Sequence, residues 1–332
     1  MLNDYEILIV GAGPAGISMA VEARFAGITK DRVLIIEKTK RHSDTIHIHY
    51  PDDKLVTANY KGFNDIHGGI MRINDKPKPD TLDYFDGVID INDLNINYEE
   101  SVKSIKRDDH GWFIVTTDKA EYRARVCVIA IGILGKPNQP EYKLPRTLKR
   151  KLHFNTFAPE ITLSDVLVVG GGDTASERVA HLVRLKNNVT LSYRGADFTR
   201  MNDVNRAEIF KLESENKIKV LLDNKIAEVK RAGKGMAVSF ENDKHDPMTF
   251  DHIVYCLGGS TPDAFLKDAG IELDGAMPKL LDGYETNVPG LFLAGDLTAG
   301  RTGGSINWAF NTSHKAMQKI VDEYLGDVVG GG

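Results

Sequence analysis

The feature that most constrains this sequence is a buried strand, a glycine-rich turn and a helix that follow one another near the N-terminus. Residues 5–10 (YEILIV) read as a buried parallel strand, and a helical run follows the turn GAGPAG at residues 11–16. Gly11 permits the tight turn, Gly13 lets the backbone approach a pyrophosphate, and Gly16 lets the helix pack closely on the strand. The pattern predicts a dinucleotide-binding site.

An acidic residue after the next strand supports this prediction. The apolar stretch 32–36 (RVLII) ends at Glu37, whose carboxylate is placed to accept hydrogen bonds from ribose hydroxyl groups. A negative charge at this position also repels a 2′-phosphate. The first site is therefore predicted to bind a dinucleotide that lacks a 2′-phosphate.

The same pattern occurs again in the middle of the chain. The apolar stretch 166–169 (VLVV) precedes a second glycine turn, and a helical stretch follows to residue 185. The next strand, 189–193, leads not to an acid but to Arg194, with Arg200 close behind; guanidinium groups suit a 2′-phosphate. In the turn itself Ala175 takes the third glycine position, which this fingerprint permits.

The contrast between Glu37 and Arg194 predicts that one site holds FAD and the other NADPH, with NADH the less favoured nucleotide. The alternative interpretation treats Arg194 and Arg200 as ordinary solvated charges after a strand. Two fingerprints in one chain nevertheless predict an FAD-dependent NAD(P)H oxidoreductase.

Composition sets wider bounds. With 332 residues, 42% of them hydrophobic, the chain is long enough for two domains. Its net charge is -5, from 42 basic and 47 acidic residues mixed along the sequence, so no nucleic-acid partner and no anionic membrane are expected. The cysteines are Cys127 and Cys256, which fits a reducing compartment. The N-terminal stretch carries Asp4 and Glu6 and resembles neither a signal peptide nor a membrane span, so a cytoplasmic protein is predicted.

These motifs resemble those of the pyridine nucleotide-disulfide oxidoreductase superfamily, specifically its thioredoxin-reductase-like branch, over essentially the whole chain. The resemblance implies an α/β fold with two Rossmann-like, doubly wound dinucleotide-binding domains. A discontinuous FAD domain would cover residues 1–134 and 257–332, with the NAD(P)H domain at 135–256 inserted into it. The resemblance also implies a homodimer.

The resemblance assigns further residues to the cofactors. It implies that Asp296, in the stretch 291–296 (LFLAGD), holds the flavin ribityl chain, and that the helix capped by Ser305 points its positive end at the flavin ring. No catalytic side chain is certain, because flavin N5 is the reacting atom. The predicted FAD-binding residues are Gly11, Gly13, Pro14, Ala15, Gly16, Glu37, Lys38, Val102, Ala130, Gly132, Gly295, Asp296, Ser305 and Ile306. The predicted NADP-binding residues are Gly170, Gly171, Gly172, Asp173, Thr174, Ala175, Tyr193, Arg194, Arg200 and Gly258.

One departure from thioredoxin reductases narrows the function. Those enzymes carry Cys-x-x-Cys shortly before the glycine turn of the nucleotide domain, where this chain has LHFNTF at residues 152–157. Cys127 and Cys256 lie within predicted core strands, where a cysteine behaves as a small buried hydrophobe. An internal dithiol relay is excluded, and electrons must leave the flavin directly.

The external acceptor stays open at this point. Several stretches, among them 37–43 and 135–140, resemble a cysteine-less subgroup that contains NADPH-dependent flavodoxin and quinone reductases. The chain is also similar to ferredoxin–NADP reductases of thioredoxin-reductase type. We therefore expect flavodoxin, ferredoxin or a quinone as the acceptor. The alternatives are a bacillithiol-type disulfide reductase, a flavin-dependent monooxygenase and a non-catalytic nucleotide sensor.

A cluster of histidines raises the question of a metal site. His42, His47 and His49 lie close together, but no cysteine or carboxylate completes a ligand set at zinc spacing. The alternation IHIHY at residues 46–50 predicts a half-buried strand instead. We predict no metal, and expect these histidines to lie near the flavin.

Two loops have candidate roles beyond the cofactor sites. The segment 51–79 either docks an acidic electron-transfer protein or is merely solvated. The basic residues of this segment are Lys54, Lys61, Arg72, Lys76 and Lys78.

A domain rotation like that of thioredoxin reductases would place hinges at Lys136-Pro137 and Gly258-Gly259. Two aromatic residues after Ser305, Trp308 and Phe310, are expected at a dimer contact or in the core.

Overall fold

The computed structural model describes residues 3–50, 55–59, 68–133, 138–154, 161–241, 245–258, 262–275, 277–299 and 304–329. Its internal packing divides the chain into two compact units. The first unit consists of Met1–Gly135 and Thr261–Gly332, and the second of Lys136–Ser260. Along the chain, the second unit interrupts the first. The hinge predicted at Lys136-Pro137 and Gly259 lies outside the described residues.

The elements follow one another in a mixed order. The strands are β1 Asn3–Val10, β2 Val33–Ile36, β3 Leu55–Val56, β4 Lys76–Pro77, β5 Ile96–Asn97, β6 Val102–Arg107, β7 Phe113–Thr117, β8 Glu121–Ile129, β9 Leu152–Phe154, β10 Asp165–Val169, β11 Asn188–Ser192, β12 Ile218–Leu221, β13 Ile226–Ala232, β14 Gly235–Phe240, β15 Met248–Phe250, β16 His252–Tyr255, β17 Leu273–Asp274, β18 Met277–Pro278 and β19 Leu291–Leu293. The helices are α1 Pro14–Phe25, α2 Asp44–His49, α3 Lys78–Ile91, α4 Asp173–Arg184, α5 Asp203–Ser214, α6 Asp263–Asp268, α7 Ile306–Glu323 and α8 Gly326–Val329.

The first unit is built on a mixed sheet. Its strand order is β5-β2-β1-β8-β7-β6, with β19 also paired to β8. β5, β2, β1, β8 and β19 run parallel, whereas β6 and β7 continue antiparallel from β8. β6, β7 and β8 thus form a β-meander. It extends one edge of the sheet whose other part carries the first glycine turn.

Both faces of β1 are covered, which explains its uninterrupted apolar sequence. Side chains alternate along a strand: Ile7 and Ile9 join a cluster with residues of α1 and α7, whereas Leu8 joins a second cluster with Ile105 and Phe113 of the meander. Ile7, Leu8 and Ile9 are fully buried, and each such burial contributes about 1.5–3 kcal/mol. β1 is thereby fixed in the centre of the unit, and the turn that follows it is held at the carboxyl edge of the sheet.

The second unit repeats the arrangement of strand, turn and helix. Its parallel sheet has the order β12-β11-β10-β16-β9, and β13, β14 and β15 form a separate antiparallel sheet. One face of the parallel sheet packs with α4 and α5 around Val168, Val179 and Ile209, and the other packs around Leu167, Val238 and Tyr255. The described part of the chain holds no helix that is long and apolar enough to cross a membrane.

The histidine-rich segment differs from its predicted structure. The half-buried strand expected at residues 46–50 is instead part of α2, which begins at Asp44. Ile46 is buried in a cluster with residues of α1 and α3. Two apolar residues are too few to distinguish the two-residue repeat of a strand from the 3.6-residue repeat of a helix. The tertiary contacts of Ile46 therefore decide which of the two forms. The segment 51–79 ends at the start of α3, which begins at Lys78.

Candidate dinucleotide-binding sites

Two glycines of the first turn are required by close backbone packing. Gly11 has φ +105°, and a Cβ there would lie 2.7 Å from the Ala130 carbonyl oxygen. A Cβ on Gly16 would lie 1.9 Å from the Gly11 carbonyl oxygen. The helix therefore approaches the turn more closely than any side chain allows, as the sequence indicated.

Gly13 differs from these two, because a Cβ there would have no atom of the described residues within 4 Å. It immediately precedes α1, whose N-terminus has no side-chain cap and begins with Pro14, which lacks an N–H. Uncapped amides at a helix N-terminus, together with the helix dipole, favour an anion. The open space and the donor set at this turn fit the pyrophosphate of FAD, with Ala15 in the first turn of the helix.

Glu37 is connected to the glycine turn directly. The carboxylate is buried, and its Oε2 accepts a hydrogen bond from the Ala12 amide at 2.8 Å. Its Oε1 accepts from the Thr39 amide and the Thr39 hydroxyl, each at 2.8 Å. Each carboxylate oxygen has two lone pairs, so acceptor capacity remains at Oε2 for a ribose hydroxyl. Lys38, by contrast, is exposed.

The other predicted residues of the first half lie at strand ends. Ala130 is buried, and its amide donates to the Val10 carbonyl at 2.8 Å. Gly132 has φ +65°, and within the described ranges no atom lies less than 4 Å from the place where its Cβ would be. Val102 is half-buried and begins β6. Ala130 and Gly11 are in contact, so the end of β8 lies against the first turn.

The C-terminal part of the first unit reaches the same turn. Gly295 has φ +72°, and a Cβ there would lie 2.8 Å from the Cβ of Ala15. Burial raises the pKa of the neighbouring Asp296 carboxyl. A Cβ on Gly304 would lie 2.2 Å from the Asp296 Oδ1. Asp296 and the first glycine turn are thus part of one site, although Gly16 and Asp296 are 280 positions apart in the sequence.

Ser305 caps the helix that follows. Its hydroxyl accepts a hydrogen bond from the Trp308 amide at 3.0 Å, which confirms the N-cap predicted from the sequence. Ile306 is buried at the start of α7. Phe310 is buried in the core, and Trp308 donates from Nε1 to the Thr298 hydroxyl at 3.0 Å. Of the two positions expected for Phe310, a dimer contact or the core, the structure shows the core.

Ser43 lies beside the first glycine turn and was not predicted from the sequence. The Ser43 amide donates to the Ala12 carbonyl at 2.9 Å, and its backbone adopts φ +48°. Its hydroxyl, like the Nδ1 of His42, is buried and has no hydrogen-bond partner among the described residues. The other ring nitrogen of His42, Nε2, lies 3.0 Å from the Asp86 Oδ1. No motif marked Ser43, because it reaches the turn only through the fold of the loop after Glu37.

The second glycine turn repeats these steric constraints. Gly170 has φ +154°, and a Cβ there would lie 2.4 Å from the Cys256 carbonyl oxygen. For a Cβ on Gly172, the nearest atom in the described part of the chain is the Arg200 carbonyl oxygen, at 3.8 Å. Gly172 precedes α4, whose N-terminus has no side-chain cap, and Ala175 is fully buried where the helix meets the sheet. The turn fits a dinucleotide pyrophosphate in the same way as the first.

Tyr193 covers the middle residue of this turn. A Cβ on Gly171 would lie 2.4 Å from the Cδ2 and Cε2 atoms of the Tyr193 ring. The ring stacks on Phe198 with 5.6 Å between centroids and 18° between planes. The guanidinium of Arg194 is exposed and lies 4.0 Å from Glu141, and Arg200 is exposed with its backbone bridged to Gly172. The structure therefore brings Tyr193 and Arg200 to the turn and leaves both guanidinium groups accessible.

The remaining predicted NADP-binding residues are Asp173, Thr174 and Gly258. The Asp173 Oδ1 accepts hydrogen bonds from the Asn202 amide at 2.9 Å and the Asn205 Nδ2 at 2.7 Å, so it ties α4 to the start of α5. Thr174 is exposed in the first turn of α4. Gly258 has φ +75°, and its carbonyl accepts from the Asn138 amide at 3.0 Å. Asp173 therefore has a structural partner beside any role in nucleotide binding.

Both cysteines are buried and unpaired. Cys127 lies in β8, whereas Cys256 directly follows β16. Burial raises the pKa of the Cys127 thiol far above its usual range and that of Cys256 to about 12. Neither forms a thiolate readily near neutral pH. Within the described ranges, no group of three or more histidine, cysteine or carboxylate side chains has a metal-binding arrangement.

Sequence comparisons give consistent similarities. A family model described as pyridine nucleotide-disulphide oxidoreductase matches residues 8–295. A ferredoxin–NADP reductase from Ignicoccus hospitalis is 30% identical over 300 residues, which cover 88% of this chain and 90% of the relative. The bacilliredoxin reductase Bdr from Bacillus subtilis is 25% identical over 333 residues, covering 94% and 96% of the two chains.

Solved structures share the fold. The bacillithiol disulfide reductase Bdr from Staphylococcus aureus matches with a TM-score of 0.82 at 24% identity, covering 98% of this chain and 100% of the other. The thioredoxin reductase from T. acidophilum matches with a TM-score of 0.75 at 22% identity, covering 97% and 99%. The predicted arrangement of two Rossmann-like, doubly wound dinucleotide-binding folds is therefore confirmed.

Proposed function

The chain belongs to the pyridine nucleotide-disulphide oxidoreductase family, and we propose that it passes electrons from NADPH by way of FAD directly to ferredoxin or flavodoxin. The coarser activity, that of an FAD-dependent NAD(P)H oxidoreductase, follows from the family and its relatives. FAD and NADPH are its cofactors. The observation that carries the proposal is the burial of both thiols, Cys127 and Cys256.

The chain's own residues position the reactants in this proposal. Bound FAD would supply the redox chemistry, since it accepts a hydride and releases one or two electrons. Gly13 and the N-terminus of α1 would hold its pyrophosphate, Glu37 a ribose, and Asp296 the ribityl chain. The N-terminus of α7 would face the flavin ring, where its partial positive charge favours negative charge on the ring.

Two further side chains fit the FAD site. The buried Ser43 hydroxyl and the His42 Nδ1 have no partner within the described residues, and Ser43 is bonded to the glycine turn through its amide. Burying an unpartnered polar atom is costly. We infer that a cofactor atom supplies the missing partner, which would make Ser43 a binding residue.

A ferredoxin-type acceptor is supported by the relatives. The Ignicoccus hospitalis protein, at 30% identity, is named ferredoxin–NADP reductase, as is the relative from Metallosphaera sedula, at 25%. No carrier thiol is accessible in this chain, so a one-electron carrier protein suits the flavin as its direct acceptor. Flavodoxin is the second carrier of this class, and a quinone is the small-molecule alternative.

A disulfide substrate is the second candidate function. The relative from Bacillus subtilis is named a bacilliredoxin reductase and covers almost the whole chain. The chain would then reduce an external disulfide without an internal cysteine pair. Oxygenation and a sensor function without turnover remain as further outcomes of the tests below.

Some of the basic residues in the segment 51–79, the candidate docking surface, form contacts within the chain. Arg72 donates from Nη1 to the carbonyl oxygens of Gly69 and Met71, and Lys78 donates from Nζ to the His47 carbonyl at 3.0 Å. These two cations are therefore engaged within the chain. Lys76 lies over the Tyr84 ring at 5.6 Å, and the predicted Lys54 and Lys61 lie outside the described residues.

The acceptor is tested with one panel of assays. Purified protein with bound FAD is given NADPH together with ferredoxin, flavodoxin, a quinone, bacillithiol disulfide or oxygen, and NADPH oxidation is followed in each case. The proposal expects the highest kcat/KM with ferredoxin or flavodoxin, with a rate that falls as salt screens the encounter. Turnover with the disulfide alone establishes the second candidate instead.

Two controls separate the remaining possibilities. Bleaching of the flavin absorbance by NADPH, with recovery when an acceptor is added, distinguishes an enzyme from a sensor that binds without turnover. A purified chain that is colourless and does not retain added FAD contradicts the whole assignment. We also propose a homodimer and a cytoplasmic location, which light scattering and cell fractionation test.

A further inference from the structure

Glu100 is a buried carboxylate in the first unit that belongs to neither glycine motif. Its side chain accepts three hydrogen bonds: from the Thr117 hydroxyl at 2.6 Å, from the Tyr122 hydroxyl at 2.9 Å and from the Asn97 Nδ2 at 3.1 Å. The donors come from β7, β8 and β5. Among the described residues, no cationic side chain forms a salt bridge with it. Neutral donors from three strands therefore stabilise the charge.

The donors of this network are fixed in their roles. Burial, and then the hydrogen bond to the Glu100 carboxylate, raise the pKa of Tyr122 to about 12, so its hydroxyl stays a donor. The Asn97 Nδ2 is also 3.0 Å from the Tyr122 oxygen. A buried polar network in which every member is satisfied holds its elements in one arrangement. Here it holds β5 against the meander.

The main chain around Glu100 connects this network to Glu37. The Glu100 amide donates to the Glu37 carbonyl at 2.9 Å, and the Glu37 amide donates to the Asn97 carbonyl at 2.8 Å. The Asn97 side chain returns to Glu100. These three residues form a closed hydrogen-bonded ring at the end of β2. Glu37, in turn, carries the carboxylate that contacts the first glycine turn.

We propose that Glu100 is a positioning residue for the adenosine half of FAD, acting through Glu37. The buried carboxylate fixes the main chain on both sides of the Glu37 side chain, so the Glu37 oxygens are held where ribose hydroxyls donate. Glu100 itself does not contact the cofactor. This inference rests on the proposed assignment of Glu37 to the FAD ribose.

The test measures FAD affinity in a double-mutant cycle. Glu100→Gln keeps the size of the side chain but replaces one acceptor oxygen with a donor that faces other donors. We expect the dissociation constant of FAD, measured by flavin fluorescence on the full-length apoprotein, to rise about tenfold, the loss typical of a hydrogen bond to a charged group. The dissociation constant of ADP, obtained from competition with FAD and corrected for the FAD affinity of each variant, should rise by a similar factor.

The cycle separates positioning from a general loss of structure. In a Glu37→Gln background, Glu100→Gln should weaken FAD binding by less than about twofold, because the interaction it supports is already gone. Additive losses in the cycle overturn the proposal, as does an unchanged affinity in the single variant. Glu99→Gln makes the same chemical change at the neighbouring exposed carboxylate and should leave the affinity as it is.

Failure of this inference is distinct from failure of the proposed function. If the unmodified chain does not bind FAD, the proposed function itself is wrong. If the chain binds FAD and the cycle is additive, only the role of Glu100 is wrong. Both readouts are independent of NADPH and of any electron acceptor.

Discussion

Tyr193 occupies in the second glycine motif the register position that Glu37 occupies in the first. Val10 pairs with Ile36 immediately before Glu37, and Val169 pairs with Ser192 immediately before Tyr193. The Glu37 carboxylate accepts a hydrogen bond from the amide of the first turn, whereas the Tyr193 ring lies against the glycine of the second. The second site therefore lacks a carboxylate where ribose hydroxyls would be bound.

This difference predicts the nucleotide preference of the enzyme. In Tyr193→Glu, the ratio of kcat/KM for NADPH to that for NADH should fall at least about tenfold, because an acid at this position accepts ribose hydroxyls and repels a 2′-phosphate. Tyr193→Phe keeps the ring and should keep the ratio within about twofold. The assay uses ferricyanide as acceptor, so that no carrier protein enters the result. An unchanged ratio in Tyr193→Glu shows that this position does not set the preference.

Arg194→Ala tests the other half of the same contrast. Its guanidinium is exposed. The Glu141 carboxylate beside it is also exposed and is 4.0 Å away, so the guanidinium is available to a phosphate. The KM for NADPH should rise about tenfold while that for NADH changes little, because only NADPH carries the 2′-phosphate. Equal effects on both nucleotides would assign Arg194 to general binding.

The first glycine turn predicts opposite effects for two similar substitutions. Gly13→Ala places a methyl group in open space at φ -81°, so the thermal midpoint of the apoprotein should not fall, while FAD affinity drops at least about tenfold. Gly16→Ala places it 1.9 Å from the Gly11 carbonyl oxygen and should cost about 2 kcal/mol or more of unfolding free energy. Circular dichroism and flavin fluorescence measure the two effects. A destabilised Gly13→Ala apoprotein contradicts the assignment of this space to the cofactor.

The buried thiols predict that cysteine chemistry takes no part in turnover. The double variant Cys127→Ala, Cys256→Ala should keep kcat within about twofold, because the raised pKa values leave neither group as a thiolate. Its unfolding free energy should fall by roughly 1 kcal/mol per site from lost packing. In the unmodified protein, a thiol reagent should label both positions only after denaturation. Rapid labelling of the native enzyme, with loss of activity, would falsify this expectation.

His153 predicts a pH dependence of stability. Burial, with smaller contributions from His252 and Arg178, lowers its pKa to about 4 from 6.5. The unfolded chain therefore binds a proton between these values and the folded chain does not, so stability is full above pH 6.5 and falls as the pH drops toward about 4. The loss attributable to this group is on the order of 1–3 kcal/mol.

Urea unfolding at several pH values measures this slope. In His153→Asn the decrease of unfolding free energy between pH 6.5 and 4 should be shallower, because the titrating group is gone. His110→Asn removes an exposed histidine and should leave the slope unchanged. Equal slopes in all three proteins rule out His153 as the source.

Local sequence patterns predicted the parts of the fold whose causes are local. The strand, turn and helix from β1 to α1, their repeat from β10 to α4 and the cap at Ser305 are found where they were expected. Each depends on residues within a few positions of one another. The helix α2 was wrongly predicted as a strand, because its six residues hold too few apolar positions to define a period.

The sequence by itself determined where the backbone comes closest to other backbone and to a phosphate. These places are marked by single glycines, because only glycine tolerates a positive φ or a position with no room for a Cβ. The tertiary structure alone decided which distant groups meet at those turns. Ser43 reaches Ala12, Tyr193 covers Gly171, and Glu100 joins β5 to β7 and β8 only once the strand order is set. Hydrogen bonds between strands depend on sheet order and register, which no short window of residues contains.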